Sequence, residues 1–216
     1  ILSYRVKLGC IVGCCRENTL AVLTLTFTEK LLPPLRKLRH IGLVGGKDLG
    51  GLAFGNCPML SLVYFDATEC PNAHSTIQGK NYGPFEGCNE LAEASISVKI
   101  STLPDYLFSG CAGLKKIELP EKITRIGDYA FRGCLALKKI TIPETVETIG
   151  AGAFEGAGLT SISLHEFISE IGKDAFKDCK SLASIRLKKK NKYYVMVGTD
   201  LYTADQSTVV ARPYGK

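Results

Sequence analysis

Nine cysteines and three histidines are the residues of this 216-residue chain with the widest chemical reach. Thiols and imidazoles held close together bind zinc, pair as disulfides or form nucleophile–base couples. Five of the cysteines, Cys57, Cys88, Cys111, Cys134 and Cys179, each stand three residues after a phenylalanine. After Phe154, in the same series, the residue at that place is Ala157. A position that accepts Cys or Ala asks for a small buried apolar side chain, and a reduced cysteine behaves as one. The spacing therefore predicts a column of buried thiols. Adjacent strands about 4.8 Å apart bring successive Cα atoms into disulfide range, but parallel side-chain directions make a bridge awkward.

The other four are Cys10, Cys14, Cys15 and Cys70. Cys10-x3-Cys14-Cys15 lacks the two-residue spacing of a structural zinc site, and Cys70-x3-His74 is a weak pair. No metal ligand set is expected. A disulfide joining Cys70 to the amino-terminal cluster stays open for a secreted chain. His40, His74 and His165 fall in different sequence units, and His165 reads as a solvent-facing turn residue. There is no Gly-x-Ser-x-Gly elbow and no phosphate loop. "VGGKDLGG" (Val44–Gly51) lacks the strand–loop–helix context of a phosphate site and reads as a turn between units. The chain reads as not an enzyme, with no cofactor.

The phenylalanines show what must position these residues. Phe54, Phe85, Phe108, Phe131, Phe154 and Phe176 are spaced by 31, 23, 23, 23 and 22 residues. Six residues after each stands a leucine (Leu60, Leu91, Leu114, Leu137, Leu182), with Leu159 one place early. Apolar pairs follow, among them Val63/Phe65, Ile117/Leu119, Ile140/Ile142 and Ile185/Leu187. Self-similarity at this period with Leu-x-x-Leu-x-Leu is the signature of leucine-rich repeats.

Each unit predicts one short strand, for example Lys116–Leu119, with Ile117 and Leu119 inward and Lys116 and Glu118 to solvent. A lone unit cannot cover its apolar side, so units stack and the strands lie side by side as a parallel sheet. Pro120 and Pro143 follow their strands, where a missing N–H removes no ladder bond. Gly127, Gly150 and Gly172 are read as positive-φ turn positions.

The predicted fold class is α/β (β-rich): a right-handed leucine-rich-repeat solenoid. One parallel sheet faces short helical or irregular segments, and a β-hairpin is appended at the carboxyl end. Divergent repeats or a cap are expected over 1–34, with strands in Tyr4–Leu8 and Thr19–Leu25. The solenoid is expected over 35–187, with a protruding loop inserted at 66–83. In 188–216 the turn signals at Gly198-Thr199-Asp200 and Ala204–Ser207 predict antiparallel strands. They would form a cap or a link to a further array.

Hydrophobic content of 45% with 22% charged residues is that of a folded protein and too apolar for disorder. No stretch approaches the roughly 18 apolar residues of a membrane span. The first residue is Ile, so the chain reads as a fragment or a processed form, and "KLGC" lacks the apolar residue of a lipoprotein cleavage site where Lys7 stands. Net charge is +6, much of it in "RLKKKNK" (Arg186–Lys192). This run reads first as a solvated loop and second as a contact for an anionic polymer. Nucleic acid is not expected, because no aromatic residues interleave the run.

"AFRGCLALKKITIPETVETIG" (Ala130–Gly150) resembles the BspA-like leucine-rich repeats, found in large surface proteins of mucosal anaerobic bacteria and some parasitic protists. The tail is similar to the hairpin that punctuates those arrays, through Tyr194, Val195, Gly198, Leu201, Tyr202, Asp205, Pro213, Gly215 and Lys216. The resemblance extends over Phe85–Lys216 and more faintly over Leu35–Gly83. "LGCIVGCCREN" matches no repeat, and the asparagine ladder of animal-type repeats is absent.

This resemblance implies adhesion or scaffold binding and carries no catalytic residue. The partner would be a protein, from host or matrix or a neighbouring subunit, and the location cell surface or secreted. The alternative is an intracellular scaffold in the cytoplasm. The exposed strand positions form two columns, His40/Gly42, Leu62/Tyr64, Glu93/Ser95, Lys116/Glu118, Lys139/Thr141, Ser161/Ser163 and Ser184/Arg186. Leu62, Tyr64, Glu93, Lys116, Glu118, Lys139 and Arg186 are the candidate binding residues. Leu62 and Tyr64 could instead pack beneath the inserted loop.

Overall fold

A computed structural model describes residues 20–23, 40–44, 54–55, 57–66 and 73–214. Its strands in chain order begin with β1 (Leu20–Leu23), β2 (His40–Val44), β3 (Leu62–Asp66) and the pair β4 (Ser75–Ile77) and β5 (Lys80–Tyr82). Next come β6 (Glu93–Ile96), β7 (Thr102–Leu103), β8 (Lys116–Glu118), β9 (Arg125–Ile126) and β10 (Thr148–Ile149). The last are β11 (Ser161–Leu164), β12 (Glu170–Ile171), β13 (Ser184–Leu187), β14 (Tyr194–Val197), β15 (Asp200–Thr203) and β16 (Val209–Ala211).

The main sheet is parallel, in the order β1-β2-β3-β6-β8, and continues after a gap as β11-β13. Stacked repeats produce this order because each coil adds one strand beside the last. The period-two pattern places the side chains. Ile117 is buried between exposed Lys116 and Glu118, and Ala94 and Ile96 are buried while Glu93 and Ser95 are not. The strand expected in Tyr4–Leu8 lies outside the described residues. β1 pairs with β2 as Ala21↔Ile41 and Leu23↔Leu43.

The gap falls at Lys138–Thr141, where no strand forms although Lys139 and Thr141 are exposed and Ile142 is buried. The flanking coils carry Gly113 and Gly158 at the start of this stretch, each without room for a Cβ against the preceding coil's carbonyl.

The side opposite the main sheet contains turns and a second parallel sheet, β7-β9-β10-β12, of two-residue strands. No helix forms among the described residues, so the irregular alternative holds there and a narrow ladder joins it. Between the two sheets the six phenylalanines stack in file, with centroid separations of 5.4, 6.0, 5.8, 5.4 and 5.6 Å. Each is almost fully buried, and burial of one such ring contributes about 1.5–3 kcal/mol.

The cysteine column runs beside them. Its five members are buried thiols, and four donate S–H to the phenylalanine carbonyl of the previous coil. These bonds are Cys88 to Phe54 at 3.0 Å, Cys111 to Phe85 at 3.6 Å, Cys134 to Phe108 at 3.2 Å and Cys179 to Phe154 at 3.0 Å.

Gly127, Gly150 and Gly172 correct one expectation, since none has positive φ. A Cβ on Gly127 would sit 2.5 Å from the Leu103 carbonyl oxygen, and the other two would likewise strike the preceding coil. Close approach of the coils, not backbone handedness, requires glycine here. The left-handed positions lie two residues before Phe108, Phe131, Phe154 and Phe176, and two residues after these and Phe85. Tyr106, Tyr129, Gly152 and Asp174 hold the first, and Gly87, Gly110, Gly133, Gly156 and Asp178 the second.

The inserted stretch is anchored, not simply protruding. β4 and β5 form an antiparallel hairpin closed by Gln78 and Gly79, both at positive φ as a type I′ turn needs. Ala73 is fully buried and its N–H bonds the Asp105 carbonyl at 3.3 Å. The carboxyl end is a three-stranded antiparallel sheet, β14-β15-β16, one strand more than a hairpin. It docks on the array by hydrogen bonds. The Ile171 N–H donates to the Tyr194 hydroxyl at 2.6 Å, and the Tyr214 N–H to the Leu182 carbonyl at 2.7 Å.

Candidate binding face

The parallel register sets the exposed columns of the main sheet. One reads Leu62, Glu93, Lys116 and the other Tyr64, Ser95, Glu118. Beyond the gap they resume as Ser161, Ser184 and as Ser163, Arg186. Of the candidate residues, Leu62 is half-buried, and Tyr64 is 43% exposed between small neighbours, Gly42 and Ser95. An aromatic ring with no bulky flanking side chain can be approached on its faces.

Glu93, Lys116 and Glu118 are brought together. The Lys116 ammonium lies 3.2 Å from a carboxylate oxygen of each. The hydrogen bond it donates to Glu93, then that to Glu118, raises the Lys116 pKa. All three are well exposed, so the network weakens as salt rises. Lys139 and Arg186 are exposed but stand on separate coils beyond β8, with Lys139 in the gap.

The basic run divides on folding. Lys188 bonds Glu144 at 2.6 Å, which raises the lysine pKa and lowers that of the carboxyl. Lys189, Lys190 and Lys192 are exposed. His165 is the clearest correction, for it is 5% exposed and not solvent-facing. It occupies the repeat position of Pro120 and Pro143, both buried, and that position faces the coil interior. Burial lowers its pKa.

Sequence reasoning missed a lateral cluster. The His74 ring lies tilted against Tyr106 at 4.7 Å and Tyr106 stacks on Tyr129 at 4.9 Å, with the Arg132 guanidinium 5.7 and 5.6 Å from the two tyrosine rings. The Asn81 amide donates to the Tyr106 hydroxyl at 3.0 Å and ties the inserted hairpin to this stack. Tyrosine two residues before the phenylalanine in consecutive units was the available signal. Among the described residues, no group of three or more His, Cys, Asp or Glu could hold a metal ion. No helix there is long and apolar enough to cross a membrane.

Comparison with known proteins follows the same lines. Three solved structures share the fold. A leucine-rich cell surface protein from Faecalibacterium prausnitzii has a TM-score of 0.57 and 23% identity, over 82% of this chain and 46% of that one. A leucine-rich repeat protein from Eubacterium ventriosum has a TM-score of 0.58 and 18% identity, over 72% and 39%. The pneumococcal vaccine antigen PcpA has a TM-score of 0.52 and 20% identity, over 89% and 42%. The chain spans less than half the length of each. No curated protein matches it. Six copies of the BspA type leucine rich repeat region match residues 75–195, and the chain belongs to that family of leucine-rich repeat proteins.

Proposed function

We propose that this chain is a non-catalytic protein-binding module, a segment of a cell-surface or secreted adhesion protein that holds its partner on the exposed face of the main sheet. The observation that carries this reading is Tyr64, a large ring left open to solvent on a sheet whose neighbouring positions are small. Exposed aromatic residues serve as anchors at interfaces. Leu62 extends the apolar contact, and the Glu93–Lys116–Glu118 network supplies polar complementarity. Lys139 and Arg186 lie farther along the array. Lys189, Lys190 and Lys192 beside Arg186 offer a secondary contact for an anionic polymer. The similarity to cell-surface leucine-rich repeat proteins supports the surface location.

The test is binding to a panel of immobilised extracellular-matrix proteins, measured for the wild type and for Tyr64→Ala. The expected result is at least one matrix protein bound, with affinity lowered about 30-fold by the substitution, as for an interface hot spot. Absence of any matrix binding, or binding indifferent to Tyr64→Ala, would overturn the reading.

A further inference from the structure

We propose that His165 is a proton-operated latch: protonation of its ring releases the turn at 165–168 and, with it, the docking of the carboxyl-terminal sheet. The inference is independent of the binding face and rests on hydrogen-bond polarity. His165 Nδ1 accepts the backbone N–H of Phe167 at 3.2 Å. That bond requires a bare Nδ1, so the neutral ring carries its proton on Nε2. Nε2 is buried and makes no hydrogen bond. A second proton, taken from water, must add at Nδ1. There it would set one donor against another, the Phe167 N–H, and the imidazolium therefore forms only when the turn lets go.

The turn is coupled to the terminal sheet through Asn191. Its side-chain amide donates to the carbonyls of His165 at 3.1 Å and Ile168 at 2.9 Å. Its amide oxygen accepts the N–H groups of Tyr193 at 2.8 Å and Tyr194 at 2.9 Å. Tyr194 in turn opens β14 and takes the Ile171 N–H on its hydroxyl. One side chain thus links the histidine turn to the first strand of the terminal sheet. Opening the turn removes the two carbonyls that orient it.

The charged groups around the ring come from three coils. Glu144 lies in the coil before, Glu166 in the histidine's own turn and Lys188 in the coil after. The Glu144–Lys188 ion pair thus bridges the coils on either side of His165. Burial and Lys188 disfavour the imidazolium, while the Pro143 carbonyl, Glu144 and Glu166 favour it, burial being the largest influence. The folded-state pKa is lowered, so above the ordinary imidazole value of about 6.5 the ring is neutral folded or unfolded and the latch is fully closed. As pH falls through that value toward the lowered folded value, the open turn takes up the proton first and docking weakens.

The test is amide hydrogen exchange, corrected for intrinsic rates, at about pH 7.5 and about pH 5, which bracket the imidazole range. Ile171 and Tyr194 amides in the wild type should lose protection severalfold relative to Phe131 in the core. His165→Gln, neutral at both pH values, should show no such selective loss. His165→Pro, which carries the residue of the neighbouring coils, should match it and guards against a misfolded glutamine variant. Glu144→Gln, which removes a group favouring the imidazolium in the closed turn, should deepen the loss of protection at about pH 5. Unchanged relative protection in the wild type, or an equal loss in both His165 variants, would overturn the proposal.

Discussion

The thiol of Cys134 donates to the backbone carbonyl of Phe108, one coil earlier, at 3.2 Å. The same bond recurs along the column, and it explains why a reduced cysteine serves better than another small residue. The Phe108 oxygen already accepts the Cys111 N–H at 3.2 Å, and the S–H satisfies its second lone pair inside a dry core. Ala157 fills the position without a donor.

Cys134→Ala should therefore fold and lose only about 1 kcal/mol, the value of one modest hydrogen bond and a sulfur atom's packing. Cys134→Leu should lose more, about 1–3 kcal/mol, because the site is fully enclosed. Urea denaturation of the three proteins checks the order. A leucine variant as stable as the wild type would show that the column is not tightly packed.

Phe131→Ala removes the middle ring of the file and both of its stacked contacts, with Phe108 and Phe154. A loss of about 3–5 kcal/mol is expected, as for a large aromatic truncated in a close-packed interior. The thermal midpoint reads it.

Gly150→Ala should be nearly as damaging, although alanine is ordinarily the better choice for an exposed chain. Its Cβ would meet the backbone of Gly127 and Asp128 at 2.7 Å, contacts that only separation of the coils can relieve. Asp174→Gly, at a left-handed position where a side chain is strained, should leave stability unchanged or raise it slightly. Relief of that strain offsets the greater freedom of an unfolded glycine. Paired melting curves distinguish the two glycine effects.

Thiol reactivity should follow burial. Desolvation is the largest influence raising the thiols of Cys111, Cys134 and Cys179, the last pushed up to about 11. The thiolate is therefore scarce at pH values below about 9. In the native protein these three should resist a thiol reagent for as long as the fold persists, and all should react in denaturant. Counting labelled cysteines by peptide mass spectrometry checks this, and the state of Cys10, Cys14, Cys15 and Cys70 bears on the surface location. Rapid native labelling of Cys134 would contradict the packed column.

Much of the fold was legible because stacking translates a sequence period directly into space. Leu62, Glu93 and Lys116 were placed in one column by counting, and the strand pairing puts them there. Counting works because every coil contributes one strand, and a parallel neighbour repeats the same inward and outward faces. The reading failed where adjacent coils meet more closely than a pattern reveals. Gly127 looked like a turn residue and is a contact residue. His165 looked exposed because it is polar, yet it inherits the buried place of Pro143. Nor did the pattern show that Lys116 is shared between two carboxylates, because that depends on side-chain reach across coils.

Sequence alone determined the solenoid, its period, the phenylalanine file, the thiol column and the order of exposed positions. All follow from one requirement, that each unit cover the apolar side of the next. Tertiary structure alone decided the gap at Lys138–Thr141, the docking of the inserted hairpin on Tyr106 and the linkage of His165 through Asn191 to the terminal sheet. These depend on distances of a few tenths of an ångström and on which donor meets which acceptor, quantities that a repeating pattern of residue types does not encode.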